Sequence, residues 1–176
     1  MIRGYVAMSL DGYIAAPGGD LAWLTKYDTT DLGEHGYAPF IKTIATVVMG
    51  RATYDWLRAA GVDWPYGDKR VLVVTSRQLE EAPAPLVIWS EGVERLVAYL
   101  RSLSDGDVWI AGGGRLQQAV IAAGGLDRLE LFVMPELLGD GTPLFPPNGH
   151  RRGLKLRAAA GLDRGVVWMD YDFVAA

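Results

Sequence analysis

Cysteine is absent from the 176 residues, which removes disulfides, thiolate nucleophiles and Cys-ligated metals together. Only two histidines occur, His35 and His150. They lie far apart in polar or Gly-rich surroundings, so both read as surface imidazoles and no metal site is expected. Long apolar runs are missing too: none approaches the roughly 20 residues that span a bilayer. The amino terminus, Met1-Ile2-Arg3-Gly4-Tyr5, runs directly into a patterned segment without the apolar region of a signal peptide. The expectation is a cytoplasmic chain that does not meet a membrane. A basic excess is also lacking, and the net charge of −4 argues against nucleic acid as a partner. The spaced six-residue glycine fingerprint of the common dinucleotide fold does not occur, nor does an acidic residue at its ribose position.

What is present describes an ordinary folded protein: half the residues are hydrophobic and 22% are charged. The length suits one domain, and no repeat or biased linker divides residues 1–176. Strand-like runs occur at Arg3–Met8, Ala45–Met49, Arg70–Thr75, Leu86–Trp89, Asp107–Ala111, Arg128–Met134, Leu154–Ala160 and Val166–Phe173. Val47-Val48-Met49, Val71-Leu72-Val73-Val74 and Val108-Trp109-Ile110 are continuously apolar, as strands covered on both faces must be. Val93, Leu96, Val97, Leu100 and Leu103 make one helical stripe. Leu116, Ala119, Val120 and Ala123 make another, ended by Gly124-Gly125. A shorter helix spans Arg51–Ala60, closed by Gly61, and a further one lies between Leu32 and Ile44, where Pro39 must break or bend it.

Alternating strands and helices predict an α/β fold with helices on both faces of the sheet. The last third instead runs strand after strand, and Gly161-Leu162-Asp163-Arg164-Gly165 reads as the turn of an antiparallel pair. The sheet is therefore expected to be mixed.

Three strand ends carry groups suited to an anion. Ile110-Ala111-Gly112-Gly113-Gly114-Arg115 runs from a buried strand through three glycines into a helix, whose free amides can donate to phosphate oxygens. A tight strand–helix turn favours glycine as well. Met49-Gly50-Arg51-Ala52-Thr53-Tyr54 repeats the strand–glycine–helix pattern, with Arg51 and Thr53 in the first helical turn; a solvated helix start is the alternative. Thr75-Ser76-Arg77 follows a third buried strand, and an Arg there suits a ribose 2′-phosphate, unless it merely opens a surface loop. Ligands of open α/β sheets sit at such carboxyl ends. Near the amino terminus, Asp11 reads as a turn former and Pro17-Gly18-Gly19 as a loop able to cover a site. Asp20 reads either as a helix cap or as a partly buried carboxyl group beside Trp23 that protonates a substrate nitrogen. The six tryptophans read as core or interface.

Ser9-Leu10-Asp11-Gly12-Tyr13-Ile14-Ala15, Met49–Tyr54, Thr75–Arg77, Ile110–Gly114 and Pro135-Glu136-Leu137-Leu138-Gly139-Asp140-Gly141-Thr142-Pro143-Leu144-Phe145 stand in an order and spacing that resemble the dihydrofolate-reductase-like family. The branch resembled is the reductase domain of bacterial riboflavin biosynthesis, and the resemblance spans nearly the whole chain. It implies a three-layer sandwich whose mixed sheet has about eight strands, with NADPH as cofactor. It places Gly50, Arg51 and Thr53 at cofactor phosphates, and Ser76 and Arg77 at the 2′-phosphate. It further places Gly112, Gly113 and Gly114 around the pyrophosphate, and Ala7 and Ile14 beside the nicotinamide. The implied reaction transfers a hydride to a C=N or C=O carbon of a pterin- or pyrimidine-like substrate, as in 5-amino-6-(5-phosphoribosylamino)uracil reductases. Asp20 looks like the acid of true dihydrofolate reductases, although the loop before it differs. A nucleotide-binding protein of the same fold without turnover is the alternative, and a homodimer is a further expectation.

Overall fold

The computed structural model describes residues 1–61, 63–79 and 86–174. The first half of the chain forms β1 (Ile2–Ser9), β2 (Tyr13–Ala15), α1 (Ala22–Thr25), α2 (Tyr37–Thr43), β3 (Ile44–Gly50), α3 (Arg51–Ala59), β4 (Arg70–Val74) and β5 (Leu86–Trp89). The second half adds α4 (Val93–Ser102), β6 (Asp107–Gly112), α5 (Gly114–Ala122), β7 (Arg128–Met134), β8 (Thr142–Pro143), β9 (Leu154–Gly161) and β10 (Val167–Phe173). One sheet of eight strands runs in the order β5-β4-β3-β6-β1-β7-β10-β9. Its first six strands are parallel neighbours, and β10 runs antiparallel to both β7 and β9. This is the mixed sheet that the sequence predicts, with the 161–165 turn joining the antiparallel pair.

Strand periodicity explains the layers. Val47, Met49, Val71 and Val73 face one side and pack with Phe40 of α2 and Tyr54 of α3. Their neighbours Val48 and Leu72, with Ile110, face the other side and meet Leu96 and Leu100 of α4 and Val120 of α5. Both faces of the central strands are thus covered, which is why their sequences are apolar without alternation. The fold is a three-layer α/β sandwich.

Two expectations need correction. Pro39 neither breaks nor bends a helix, because α2 begins at Tyr37 and Pro39 falls in its first turn, where the amide it lacks has no intrahelical partner to lose. His35 is not a free surface imidazole: its ring stacks on Trp168 at 3.7 Å and 20°. The sequence also gave no sign of the second, two-stranded sheet of β2 and β8. Its β8 is two residues long and one of them is Pro143, a residue that argues against a strand.

The buried carboxylates of the sheet are paired, whereas Arg3 Nε and the Trp168 indole nitrogen have no partner among the described residues. Arg3 is 9% exposed and bonds to the nearly buried Glu130, and also to Asp107 at 2.9 Å and the Thr43 hydroxyl at 3.1 Å. Asp170 accepts both Arg128 donors at 2.7 and 2.8 Å and Arg157 Nε at 3.0 Å. No helix of the described residues is long and apolar enough to cross a membrane.

Candidate functional site

β1 and β6 pair only where Ile2–Gly4 face Val108–Ile110, whereas β1 keeps its pairing with β7 as far as Ser9. Beyond Gly4 the two parallel neighbours part. The gap opens a cavity of about 490 Å³ at the carboxyl ends of the strands, the position where open α/β sheets take ligands. Tyr5 and Ala7 of β1 form one wall and Trp109 and Ala111 of β6 the other. The β2–β8 sheet adds Ile14 and Thr142, and α3 adds Thr53 and Trp56. The lining is mostly carbon and contains no charged side chain among the described residues.

The glycine run closes one end. Gly112 has φ +118, a conformation that L side chains avoid. A side chain built on Gly112 or Gly113 would meet nothing nearer than the Thr53 hydroxyl, at 4.0 and 3.8 Å. The glycine backbone therefore faces open space with Thr53 across it. Gly113 precedes α5 and Gly50 precedes α3, and neither helix start carries a side-chain cap. β3 and β6 are neighbours, so two helix amino termini, with their free amides and positive dipole ends, converge on one spot. A Cβ on Gly50 would lie 3.8 Å from the Gly112 carbonyl and 3.9 Å from the Gly113 nitrogen. These groups fit a diphosphate: bare backbone donors, room for a bulky anion and no competing acid.

Of the residues expected from sequence, Ala7, Ile14, Thr53, Gly112, Gly113 and Gly114 line the one cavity, and Gly50 abuts the glycine run. Arg51 lies just outside, its Nε on Asp55 at 2.6 Å and one terminal nitrogen on the Gln78 carbonyl at 3.1 Å. That second bond ties the start of α3 to the loop holding Ser76 and Arg77. Both of those residues are exposed beyond the cavity, and the Arg77 amide donates to Thr75 Oγ1 at 3.1 Å. Asp20 does not supply the partly buried carboxyl group that proton transfer would need. It is exposed and its Oδ1 accepts from the Ala22 amide at 2.8 Å, one residue ahead of the Leu21 that caps α1, while its neighbours Gly19 and Leu21 reach the cavity.

A second cavity of about 450 Å³ shares Tyr5, Ala7, Leu24 and Tyr37 with the first. Phe132 and Met134 contribute apolar wall, and Asp28, Thr30 and Asp31 bring polar groups. Burial, aided by the Glu130 charge and by Tyr37, pushes the Tyr5 phenol well above its ordinary range, so it stays protonated and donates to the His35 carbonyl at 2.9 Å. Sequence reasoning missed Asp28 and Asp31, which sit in a loop without periodicity. It assigned Trp56 and Trp109 to core or interface; Trp109 does pack on the core beside Phe40, and both also line the first cavity. Gln117 was missed as well, although its position one helical turn before the buried Val120 and Ile121 places it on the inward stripe of α5.

The sequence model of the RibD C-terminal domain matches residues 2–168. The uncharacterised protein YwjB of Bacillus subtilis is 31% identical over 162 residues, covering 92% of each chain. A candidate riboflavin biosynthesis protein from Shewanella sp. PV-4 superposes with a TM-score of 0.86 at 25% identity over 99% of both chains. Dihydrofolate reductase from Enterococcus faecalis, complexed with NADP(H) and RAB-propyl, gives a TM-score of 0.71 at 22% identity, covering 99% of this chain and 97% of that one. The shared fold is that of dihydrofolate reductase.

Proposed function

Because the chain belongs to the RibD C-terminal domain family, we propose that it is an NADPH-dependent reductase of a small pterin- or pyrimidine-like heterocycle. The observation that carries the reading is the meeting of two uncapped, glycine-led helix starts at one end of an apolar cavity that shares a wall with a second. The Gly112–Gly114 run and Gly50 hold the pyrophosphate through backbone amides, with Arg51 and Thr53 at its flank. Ser76 and Arg77 meet the 2′-phosphate. Ala7 and Ile14 border the nicotinamide. The NADP(H) bound by the Enterococcus enzyme of the same fold supports this choice of cofactor.

When bound, reduced nicotinamide would supply the hydride that reduces the substrate's C=N or C=O carbon, the nitrogen or oxygen gaining a proton and NADP⁺ remaining. Tyr5, Ala7, Leu24 and Tyr37, common to both cavities, set the two rings against each other and exclude water from between them. Phe132 and Met134 take the apolar face of the substrate ring, and Asp28 and Asp31 accept from its N–H groups. The exposed Asp20 leaves solvent, entering past those two carboxylates, as the proton source.

Fluorescence titration with NADPH and NADH, followed by NADPH oxidation across a panel of pterins and pyrimidines, tests the reading. Saturable NADPH binding, weaker NADH binding and turnover of at least one heterocycle are expected. Absence of NADPH binding rejects the proposal. Binding without turnover would favour the second reading, a nucleotide-binding protein without catalysis, whose support is the lack of any carboxyl group or imidazole among the described residues of the first cavity.

A further inference from the structure

Gln117 lines the first cavity yet is only 2% exposed, and its Nε2 is buried without a hydrogen-bond partner. A buried amide donor left unpaired is costly, so such a group is expected to meet a partner that the protein itself does not supply. The surrounding residues make the position deliberate. Gln117 sits at the fourth position of α5, and its amide closes the first turn of the helix on the Gly113 carbonyl at 3.1 Å. Its side chain reaches across to β1, where the absent side chain of Gly4 leaves its Oε1 3.5 Å from the Cβ position. Two other donors of the lining are already committed: the Tyr5 hydroxyl to the His35 carbonyl and the Trp109 indole to the Tyr5 carbonyl. The cavity thus offers a flat ligand an apolar surround and, from α5, a buried side-chain N–H without a partner.

Resting on the cofactor reading above, we propose that Gln117 selects the nicotinamide end of the cofactor by donating its Nε2–H to the carboxamide carbonyl. The ring fills the carbon-lined space, and the single acceptor it must present is an exocyclic carbonyl. Gln117 is then a specificity-determining residue. It fixes which way round the ring lies, and hence which face of the ring is turned toward Ala7 and the second cavity.

The experiment compares wild type with Gln117→Met, which keeps length and volume but removes the donor, by calorimetric titration. The probes are NADP⁺, its 3-acetylpyridine analogue, in which the carbonyl stays and the amino group becomes methyl, and 2′,5′-ADP, which has no nicotinamide. The variant should bind NADP⁺ and the acetylpyridine analogue each roughly tenfold more weakly and bind 2′,5′-ADP unchanged. Equal loss for 2′,5′-ADP would mean that α5 has shifted, and would overturn the assignment, as would unchanged NADP⁺ binding. Loss for NADP⁺ alone would reverse the contact, with Gln117 accepting from the amino group, and also overturns it. If the Met variant does not fold, Gln117→Leu removes the donor without adding an acid and reads the same comparison. Wild-type protein that binds none of the three probes refutes the cofactor reading itself, whereas wild-type binding with an indifferent variant refutes only the role of Gln117.

Discussion

The indole N–H of Trp109 donates to the carbonyl of Tyr5 at 3.2 Å, bridging β6 and β1 just where their pairing ends. The bond spans the base of the cleft, so it limits how far the two strands part. Trp109→Phe keeps the ring packing against Phe40 and removes the bridge. About 1 kcal/mol of stability should be lost, read as a lower urea midpoint, together with weaker NADPH binding in the fluorescence titration. A lower midpoint with unchanged NADPH affinity would show that the bridge does not shape the cavity.

Gly114 begins α5 against the β8 strand, and a Cβ there would lie 2.6 Å from the Pro143 carbonyl oxygen and 2.7 Å from that of Leu144. Both obstacles are backbone, and neither can rotate away. Gly114→Ala should therefore destabilise by about 1–3 kcal/mol through overpacking, lowering Tm by roughly 2–4 °C for each kcal/mol in a chain of this size. Gly139, around which nothing lies within 4 Å, has φ +74. Its alanine variant would thus report strain without crowding, and comparison of the two Tm values separates the causes.

Much of this arrangement was legible in the sequence because the determining forces are local or periodic. Val47-Val48-Met49 and Val71-Leu72-Val73 announce strands covered on both faces, and Gly112-Gly113-Gly114 announces a helix start stripped of side chains. The parting of β1 from β6 was not legible, since no residue type encodes where two strands stop pairing, and without it the cavity has no location. Asp28 and Asp31 were invisible for a related reason: their importance comes from a loop laid against Phe132 and Met134, contacts distant in the chain. The expectation for Asp20 failed on exposure, which a cap and a buried acid do not distinguish in sequence.

Arg77 shows no ion pair among the described residues and lies at the exit of β4. If it meets a 2′-phosphate, Arg77→Ala should cost about 1.5–3 kcal/mol of NADPH binding, roughly 10- to 150-fold in Kd. NADH carries no such phosphate, so its affinity should not move. The measured quantity is the ratio of the two dissociation constants, and an unchanged ratio removes Arg77 from the contact.

The Arg3–Glu130 pair is held where both side chains are nearly buried. Glu130→Ala would leave the Arg3 charge with Asp107 alone on that side of the sheet, and should cost about 3–5 kcal/mol. By contrast, Asp105 pairs with Arg70 in solvent, and Asp105→Ala should leave the urea midpoint within error. Comparable losses from the two variants would contradict the burial argument.

Asp11 joins the end of β1 to the loop after β7. Its carboxylate accepts from the Ser9 hydroxyl at 2.6 Å and from the Gly139 and Leu138 amides at 2.7 and 3.1 Å. The Ser9 contact first, then those amides, hold its pKa below the ordinary carboxylate value. A carboxyl group depressed in the folded state stabilises fully above its unfolded pKa, near 3.9. That contribution fades as pH falls through the lower, folded value, because the unfolded chain then takes up protons that the folded chain resists. Wild type and Asp11→Asn should therefore differ in Tm by a constant amount above about pH 5, and the gap should narrow steadily below about pH 4. Thermal melts across that range decide the matter: a gap that persists into acid would mean that the amide variant lost packing rather than charge. The same tie fixes the turn leading into Ile14, so NADPH affinity of the wild type should weaken over the same acid interval in which the gap closes.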